Sequence, residues 1–259
     1  MMLIHPTIDK LRELRLTGMQ KALIDQMDLP DRDTLSFDER FGLLVDSEYT
    51  ERENRRLKTR LKRARFRQAA TVEDIDYRHP RGLDKALMLS LAGCDWIHQH
   101  HNVIITGPTG AGKSYLACAL GNKACREGYP VLYYRIARLF QELAIAKADG
   151  RYDNVLRALA RSKLLVLDDW GTAPLTDEQR RDLFEVIEDR YDRGSTLIAA
   201  QLPVKHWHET LGDPTLADAI LDRLIHNAYT ITLKGESMRK RKTKDLTPTK
   251  PSGKKDKHN

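Results

Sequence analysis

The stretch GPTGAGKS, residues 107–114, matches the pattern G-x-x-x-x-G-K-[ST] at every fixed position. Glycines in such a loop let backbone N–H groups close around a phosphate, and a following helix adds the partial positive charge of its N-terminus. The lysine would reach the β- and γ-phosphates of a nucleotide, and the serine would ligate Mg²⁺. The alternative is a glycine turn without a ligand. The candidate nucleotide-binding residues are Gly107, Pro108, Thr109, Gly110, Ala111, Gly112, Lys113 and Ser114.

The residues on either side of this loop favour the phosphate-binding interpretation. Residues 101–106, HNVIIT, form a short β-branched apolar run that is typical of a buried parallel strand. After Lys113, apolar residues recur at helical spacing as far as Gly128, and glycine commonly follows the end of a helix. Strand, glycine loop and helix is the order that a phosphate-binding loop requires.

Strands and helices alternate along the chain from Leu83 onward. This alternation predicts an α/β fold, in which a parallel sheet is covered by helices on both faces. The predicted strands are 102–106, 130–134, 163–168, 196–200 and 229–233, and the predicted helices are 113–126, 136–148, 153–161, 177–193 and 214–226.

Two of these strands end in polar residues that suit a nucleotide site. The stretch LLVLDDWG, residues 164–171, brings Asp168 and Asp169 to the end of an apolar run. We assign Asp168 to the metal ion, through water, and Asp169 to the general base that orients the attacking water. Gln201 ends another strand and is a candidate contact of the γ-phosphate or of that water. The alternatives are solvated loop carboxylates and a loop amide without a role.

Composition and charge limit the class of protein. The 259 residues suffice for one sizeable core and a small second domain. We expect no membrane span, because no apolar run reaches the roughly 18 residues needed. Three cysteines without metal spacing, and a charged N-terminus unlike a signal peptide, suit a reduced cytoplasmic protein. The net charge of +7 resides in the tail, where ten Lys/Arg face three Asp/Glu.

Four segments are expected along the chain. The first is helical, and two capping boxes, Thr17 with Gln20 and Ser36 with Glu39, predict the starts of two of its helices. A polar segment containing proline and glycine then predicts a linker. The last segment, rich in Lys, Thr and Pro, is expected to be disordered. The segments are 1–70, a helical DNA-binding and assembly domain; 71–82, the linker; 83–233, the nucleotide-binding domain; and 234–259, the basic tail.

The first segment ends in a strongly basic stretch, residues 52–67, which holds nine Lys/Arg and one Glu. Its apolar seam, Leu57, Leu61 and Ala64, is narrower than the stripe of a packed helix. This pattern favours contact with the phosphate backbone of duplex DNA, without base readout. The alternatives are a solvated helix face and a DNA site in the tail. The candidate DNA contacts are Arg52, Arg55, Arg56, Arg60, Arg63 and Arg67.

The run from Gly107 to Arg239 resembles the IstB branch of AAA+ ATPases, which is close to the DnaC helicase loaders. The motifs that carry the resemblance are GPTGAGKS, LLVLDDWG, QLPVKHWHETLGDPTLADAILDRL and KGESMR, and the helical N-terminal part is also similar. The resemblance implies a P-loop AAA+ core with ATP and Mg²⁺ as cofactors. Members of this family assist a partner transposase, IstA, bind duplex DNA, form ATP-dependent oligomers and help to select the insertion target.

The resemblance also assigns individual roles. It places Gln201 at the first sensor, Arg223 at the arginine finger that reaches a neighbouring subunit, and Arg239 at the second sensor. In one respect the chain departs from many AAA+ proteins, which have Asp-Glu where it has Asp168 and Asp169; the shorter base predicts slow hydrolysis. The alternatives are a helicase loader, a small-molecule kinase with the same loop, and a DNA-binding module with a vestigial ATP site.

Overall fold

The computed structural model describes residues 6–29, 34–235 and 237–238. It divides the chain into two compact units, Met1–Lys62 and Arg63–Asn259. This division falls before the domain boundary near residue 70 that the sequence suggested. Within the described ranges, no helix is long and apolar enough to cross a membrane.

The first unit contains two short helices and most of a long one. Two of them meet closely at Gly18, where a Cβ atom would lie 2.5 Å from the carbonyl oxygen of Ser47. The buried Glu48 carboxylate accepts hydrogen bonds from the backbone N–H groups of Gly18, at 2.8 Å, and Met19, at 3.2 Å. Glu48 thereby caps one helix from another. The helices are α1 (Pro6–Glu13), α2 (Thr17–Met27) and α3 (Phe37–Ala64).

One of the two predicted capping boxes is confirmed. The Ser36 N–H donates to Glu39 Oε2 at 2.8 Å, and the Glu39 N–H donates to Ser36 Oγ at 3.3 Å. The other prediction is wrong: the residue before α2 is Leu16, which provides no side-chain cap. Thr17 Oγ1 instead accepts a hydrogen bond from Arg55 at 2.7 Å. The cap comes from Glu48, which is remote in sequence and therefore gives no local signal.

The second unit is the predicted α/β domain. Its five strands form one sheet in the order β2-β3-β4-β1-β5, and every neighbouring pair is parallel. β1 and β4 are buried along their whole length, as expected for central strands covered on both faces. The strands are β1 (Asn102–Thr106), β2 (Val131–Arg135), β3 (Leu164–Trp170), β4 (Ser195–Ala200) and β5 (Ala228–Thr232).

Helices connect the strands. The predicted helices are confirmed, but the one expected at 177–193 ends at Arg190, and the following turn includes Asp192 in the left-handed region, with φ 53°. Three short helices, α4, α5 and α10, were not predicted, because each has at most eight residues and therefore little periodicity. The helices of this unit are α4 (Lys85–Ala92), α5 (Asp95–His98), α6 (Lys113–Arg126), α7 (Ile136–Ala148), α8 (Tyr152–Arg161), α9 (Asp177–Arg190), α10 (Trp207–Leu211) and α11 (Pro214–Ile225).

The segment 71–82, which the sequence suggested as a linker, belongs to the second unit. Ile75 and Arg81 are buried there, and Glu73 accepts a hydrogen bond from Arg126 of α6 at 2.9 Å. The polar composition of the segment predicted a linker, but Ile75, Arg81 and Glu73 instead make it part of the second unit.

The parallel sheet also determines where a site can lie. The carboxyl ends of all five strands meet at one edge, and ligands of open α/β sheets bind outside that edge. β1 leads into the glycine loop, β3 carries the Asp168–Asp169 pair just before its last residue, and Gln201 follows β4 directly. β4 lies between β1 and β3, so the three motifs come from neighbouring strands.

Candidate nucleotide-binding and hydrolysis site

The glycine loop connects β1 to α6, and its backbone has the shape of an anion cradle. Gly107, Gly110 and Gly112 have φ angles of 147°, 85° and 99°, which residues with a side chain rarely adopt. Gly112 is the residue before α6 and has no side chain to cap the first N–H groups of that helix. The N-terminus of a 14-residue helix therefore points its N–H groups and partial positive charge at the loop.

Lys113 is folded back over this loop. Its side chain is largely buried, and Nζ donates to the carbonyl oxygens of Gly107, at 2.7 Å, and Pro108, at 2.9 Å. Phosphate oxygens are stronger acceptors for an ammonium group than neutral carbonyls are. The lysine is thus held at the loop in a position from which a phosphate can take over its hydrogen bonds.

Two segments distant in sequence pack against the loop. The guanidinium of the buried Arg81 donates to the Ala111 carbonyl oxygen at 3.0 Å, and burial lowers the pKa of this arginine. The N–H of Met238 donates to the Gly110 carbonyl oxygen at 3.0 Å. A Cβ atom at Gly110 would lie 2.1 Å from Ser237 Oγ, so a larger residue would displace this segment. Both contacts hold the loop in place.

The acidic pair lies where the pairing of β3 with β4 is irregular. The pairing of β3 with β4 shifts register between Leu167 and Trp170, so Asp168 and Asp169 form an irregularity of the strand. Asp169 has φ 59°, in the left-handed region, which Asp tolerates better than most residues. The side chain of Asp168 is 2% exposed and that of Asp169 is 29% exposed. The bulge therefore separates a buried carboxylate from an accessible one.

Hydrogen bonds hold both carboxylates in place. Tyr133 of β2 donates its hydroxyl proton to Asp168 Oδ2 at 2.6 Å, and the Asp169 N–H donates to Asp168 Oδ1 at 2.9 Å. Burial, together with the Asp168 hydrogen bond, raises the pKa of Tyr133, so the phenol remains a donor. Arg135, at the end of β2, donates its Nε–H to Asp169 Oδ2 at 2.8 Å.

A second arginine approaches the pair from the basic stretch. Arg67 Nη1 lies 3.9 Å from Asp168 Oδ2 and 3.7 Å from Asp169 Oδ2. This placement differs from the DNA contact that the sequence suggested for Arg67. α3 ends at Ala64, and Arg65 has φ 55°, so the chain turns before it reaches Arg67. The basic stretch is thus helical only up to Ala64.

The residues present fit a nucleotide with its metal ion. The loop offers uncapped helix N–H groups and a lysine for the phosphates, and oxygen atoms of Ser114, Asp168 and Asp169 are the kind of donors that Mg²⁺ prefers. Asp168 is fixed by two hydrogen bonds. Such a fixed carboxylate suits a hydrated metal ion, whereas Asp169 is accessible to a water molecule.

The remaining predicted site residues take different positions. Gln201 is exposed just beyond β4. Arg223 lies on α11, where it forms an ion pair with Glu188 and its guanidinium stands over the rings of Phe184 and Tyr191, at 5.5 and 5.8 Å. Arg239 lies outside the described residues.

The candidate DNA contacts also differ in their partners and in their exposure. Arg52 pairs with Glu48 at 2.7 Å and Arg55 donates to Thr17 at 2.7 Å, so both contribute to packing within the first unit. Arg56 pairs with Glu53 on the exposed face of α3. Arg60 is half-buried, whereas Lys58, Lys62 and Arg63 are exposed. Lys58 and Lys62 therefore add to the exposed charge of the arginines that the sequence suggested.

Sequence reasoning missed Tyr133, Arg135 and Arg81. Arg135 gave a usable signal, because it ends a strand next in the sheet to the one that carries the acidic pair, and it pairs in register with Asp168. Tyr133 lies two residues earlier on the same strand. Arg81 gave no signal, since its segment has the composition of a loop.

Comparison with known proteins agrees with this geometry. Residues 9–246 match the family described as IstB-like ATP binding protein. The insertion sequence ATP-binding protein y4pL of Sinorhizobium fredii is 54% identical over 239 residues, which cover 92% of this chain and 98% of the relative. The insertion sequence IS21 ATP-binding protein of Pseudomonas aeruginosa is 34% identical over 248 residues, covering 93% and 92% of the two chains.

Solved structures are similar in fold. The crystal structure of the DnaC helicase loader has a TM-score of 0.52 and 19% identity, covering 64% of this chain and 97% of the other. AMPPCP-bound DnaA from Aquifex aeolicus has a TM-score of 0.56 and 17% identity, covering 70% and 55%. These likenesses agree with the strand order and the glycine loop, so the second unit has the P-loop AAA+ fold. With this fold, and with the sequence match along most of its length, the chain belongs to the family of IstB-like ATP-binding proteins of insertion sequences.

Proposed function

We propose that this protein is an ATP-hydrolysing, duplex-DNA-binding AAA+ protein that assembles into an oligomer and assists a partner transposase in choosing and using an insertion target. The observation that carries the proposal is the meeting, at one edge of the sheet, of a glycine loop holding a buried lysine with a buried Asp168 and an accessible Asp169. Each of these features serves a distinct part of ATP hydrolysis.

The ATP site uses the chain's residues as follows. Lys113 and the N–H groups at the start of α6 hold the phosphates, and Ser114 and Asp168 hold the hydrated Mg²⁺. Bound Mg²⁺ supplies charge neutralisation for the β- and γ-phosphates. Asp169 orients and deprotonates the attacking water, and Gln201 is the polar group beside it. Because Asp169 is one methylene shorter than glutamate, hydrolysis is expected to be slow, and ATP acts mainly as a signal for assembly.

The position of Arg223 favours an oligomer. Asn102, the first residue of β1, donates its side-chain N–H to the Arg223 carbonyl oxygen at 3.0 Å. Arg223 is therefore anchored at the amino end of β1, whereas the glycine loop begins after Thr106, at the other end, about 13 Å away along the strand. An arginine side chain does not span this length. Arg223 is accordingly proposed to serve the ATP site of a neighbouring subunit, after release from Glu188.

Duplex DNA is assigned to the exposed face of α3. The basic stretch concentrates positive charge in a region, residues 1–233, whose charges otherwise sum to a net negative value. Phosphate contacts of this kind bind without base readout and are strongly salt-dependent. The partner transposase is inferred from the relatives, whose names place them in insertion sequences. The helicase-loader alternative rests on a likeness of fold alone.

The main test is a measurement of particle size by analytical ultracentrifugation with and without ATP and duplex DNA. A large particle that forms only with ATP, and that retains DNA, is the expected result. A monomer under all conditions would contradict the oligomer, and ATP-dependent assembly without DNA retention would contradict the DNA assignment. Capture of a replicative helicase, rather than stimulation of DNA insertion by a transposase, would favour the loader.

The DNA assignment has its own test. Changing Lys58, Lys62 and Arg63 together to Ala removes three exposed charges from α3. The slope of log affinity against log salt is expected to decrease by about 0.9 for each phosphate that the variant no longer neutralises, and thus by up to about 2.7. The matched control removes the same charge from exposed positions of α1 and α2 in the first unit, by changing Lys10, Arg12 and Lys21 to Ala.

Two outcomes would contradict this assignment. If the control lowers the slope as much as the α3 variant does, the effect is one of net charge and not of a site. If removal of residues 243–259 abolishes binding while the α3 variant binds normally, the DNA site lies in the tail.

A further inference from the structure

Arg67 is delivered to the acidic pair by aromatic packing. Phe66 stands edge-on to the ring of Tyr133, with centroids 6.3 Å apart. Phe66 also packs against Gly121 of α6, where a Cβ atom would lie 2.6 Å from the Phe66 ring. The neighbouring residue, Arg67, is thereby held beside the carboxylates that Tyr133 and its strand support. The position is therefore built into the core of the second unit.

The two arginines at the acidic pair are bound differently. Arg135 makes a 2.8 Å hydrogen bond to Asp169, whereas Arg67 stands 3.7 to 3.9 Å from both carboxylates, at ion-pair distance. The side chain of Arg67 is 42% exposed. It is accordingly held by charge attraction and is accessible to solvent and to other ions.

The charges around the pair balance. Two guanidinium groups face two carboxylates, so a divalent cation that approaches the pair meets little net negative charge. Removing Arg67 would leave one carboxylate charge uncompensated, while Arg135 continues to hold Asp169. The interaction between Arg67 and the pair is therefore opposed to the binding of a divalent cation at the same oxygen atoms.

We propose that Arg67 is a positioning residue of the ATP site, which holds Asp168 and Asp169 together as an ion-paired cluster and competes with Mg²⁺ for them. This proposal rests on the ATP site described above, and it moves Arg67 from the DNA interface to the hydrolysis site. The positive charge of Arg67 thus raises the Mg²⁺ concentration at which a metal ion displaces it from the two carboxylates.

The test is a titration with Mn²⁺, a paramagnetic substitute for Mg²⁺, followed by electron paramagnetic resonance on the full chain without nucleotide. Arg67→Ala is expected to bind Mn²⁺ about two- to fivefold more tightly than the unmodified protein, as the loss of one partly exposed ion pair predicts. Arg67→Lys keeps the charge and is expected to restore weaker binding. Arg193→Ala removes an exposed arginine at the amino end of β4 and is expected to change nothing.

A second titration measures the affinity for fluorescent ATP as a function of Mg²⁺ concentration. Arg67→Ala is expected to reach half-saturation at about two- to fivefold lower Mg²⁺, with unchanged affinity at saturating Mg²⁺. A melting curve shows that each variant is folded. The Mn²⁺ measurement needs neither ATP binding nor hydrolysis, so it remains decisive if the proposed ATPase activity fails.

Two results would overturn the proposal. The first is an Arg67→Ala variant whose Mn²⁺ affinity changes no more than that of Arg193→Ala. The second is an Arg67→Ala variant that loses ATP affinity equally at low and high Mg²⁺, because Arg67 would then bind phosphate directly instead of competing for the carboxylates.

Discussion

Changing Lys113 to Ala is expected to remove ATP binding selectively, and the structure sets the size of the effect. Nζ already holds two acceptors, the carbonyl oxygens of Gly107 and Pro108, within 2.9 Å. In the proposed ATP complex, phosphate oxygens would replace these neutral acceptors. A charged acceptor strengthens each bond by roughly 1 kcal/mol, so two bonds give about 2–3 kcal/mol. The dissociation constant of ATP is thus expected to increase about 30- to 150-fold.

The assay is a titration with fluorescent ATP, paired with thermal unfolding of the nucleotide-free protein. Lys123→Ala is the control, because Lys123 lies on the same helix and pairs at the surface with Glu127. Lys113→Ala is expected to cost at most about 1–2 kcal/mol of stability, since the two carbonyl oxygens stay close to solvent. Unchanged ATP affinity in a folded Lys113→Ala variant would refute the phosphate-cradle reasoning, and equal losses in both variants would point to a general charge effect.

Mixing Arg223→Ala with Asp169→Asn is expected to restore part of the ATPase activity that each variant lacks alone, because some mixed interfaces pair an intact Asp169 with an intact Arg223. Phosphate release, measured on assemblies of confirmed size, checks this expectation. If no activity is recovered, Arg223 does not act on the ATP site of a neighbouring subunit. Burial raises the pKa of Glu48, but hydrogen bonds from an arginine and two backbone amides outweigh it and hold the pKa below its ordinary value. The carboxylate therefore stabilises the fold above about pH 4.5, and that contribution is lost as the pH falls through the lowered folded-state pKa. Glu48→Gln is expected to destabilise the first unit by about 1–3 kcal/mol at neutral pH and less in acid, measured by urea unfolding against the exposed control Glu51→Gln; a pH-independent difference would contradict this. Gly18→Ala is expected to lower the free energy of unfolding by about 1–3 kcal/mol in the same assay, because the new Cβ would clash with backbone atoms that can move only with their whole helix. A variant as stable as the wild type would show that the two helices separate easily.

The parts of the structure that follow from local pattern could be predicted. Strand 102–106 and helix 113–126 have the predicted bounds, since an apolar β-branched run and a glycine loop specify both locally. The acidic pair was found for the same reason. Tyr133 was not, because its role depends on which strand lies beside β3, and strand order is a property of the whole sheet.

Errors arose where a distant residue replaced a local partner. Thr17 has the sequence of a capping box, yet Glu48 supplies the cap from a helix about thirty residues later in the chain. Arg67 continues a regular basic repeat, yet the left-handed Arg65 and the packing of Phe66 turn it away from the helix. In each case the local sequence pattern was present, but a tertiary contact determined the position of the side chain.

The segment that follows β5 has a practical consequence for anyone who shortens this chain. The Leu233 N–H donates to Thr106, the Lys234 N–H to Arg81, and the Met238 N–H to Gly110, so three hydrogen bonds attach this segment around the glycine loop. A truncation placed directly after the last strand would remove these hydrogen bonds along with the basic tail. Loss of activity in such a truncated protein would then be misread as evidence about the tail, whereas a stop placed beyond Met238 separates the two.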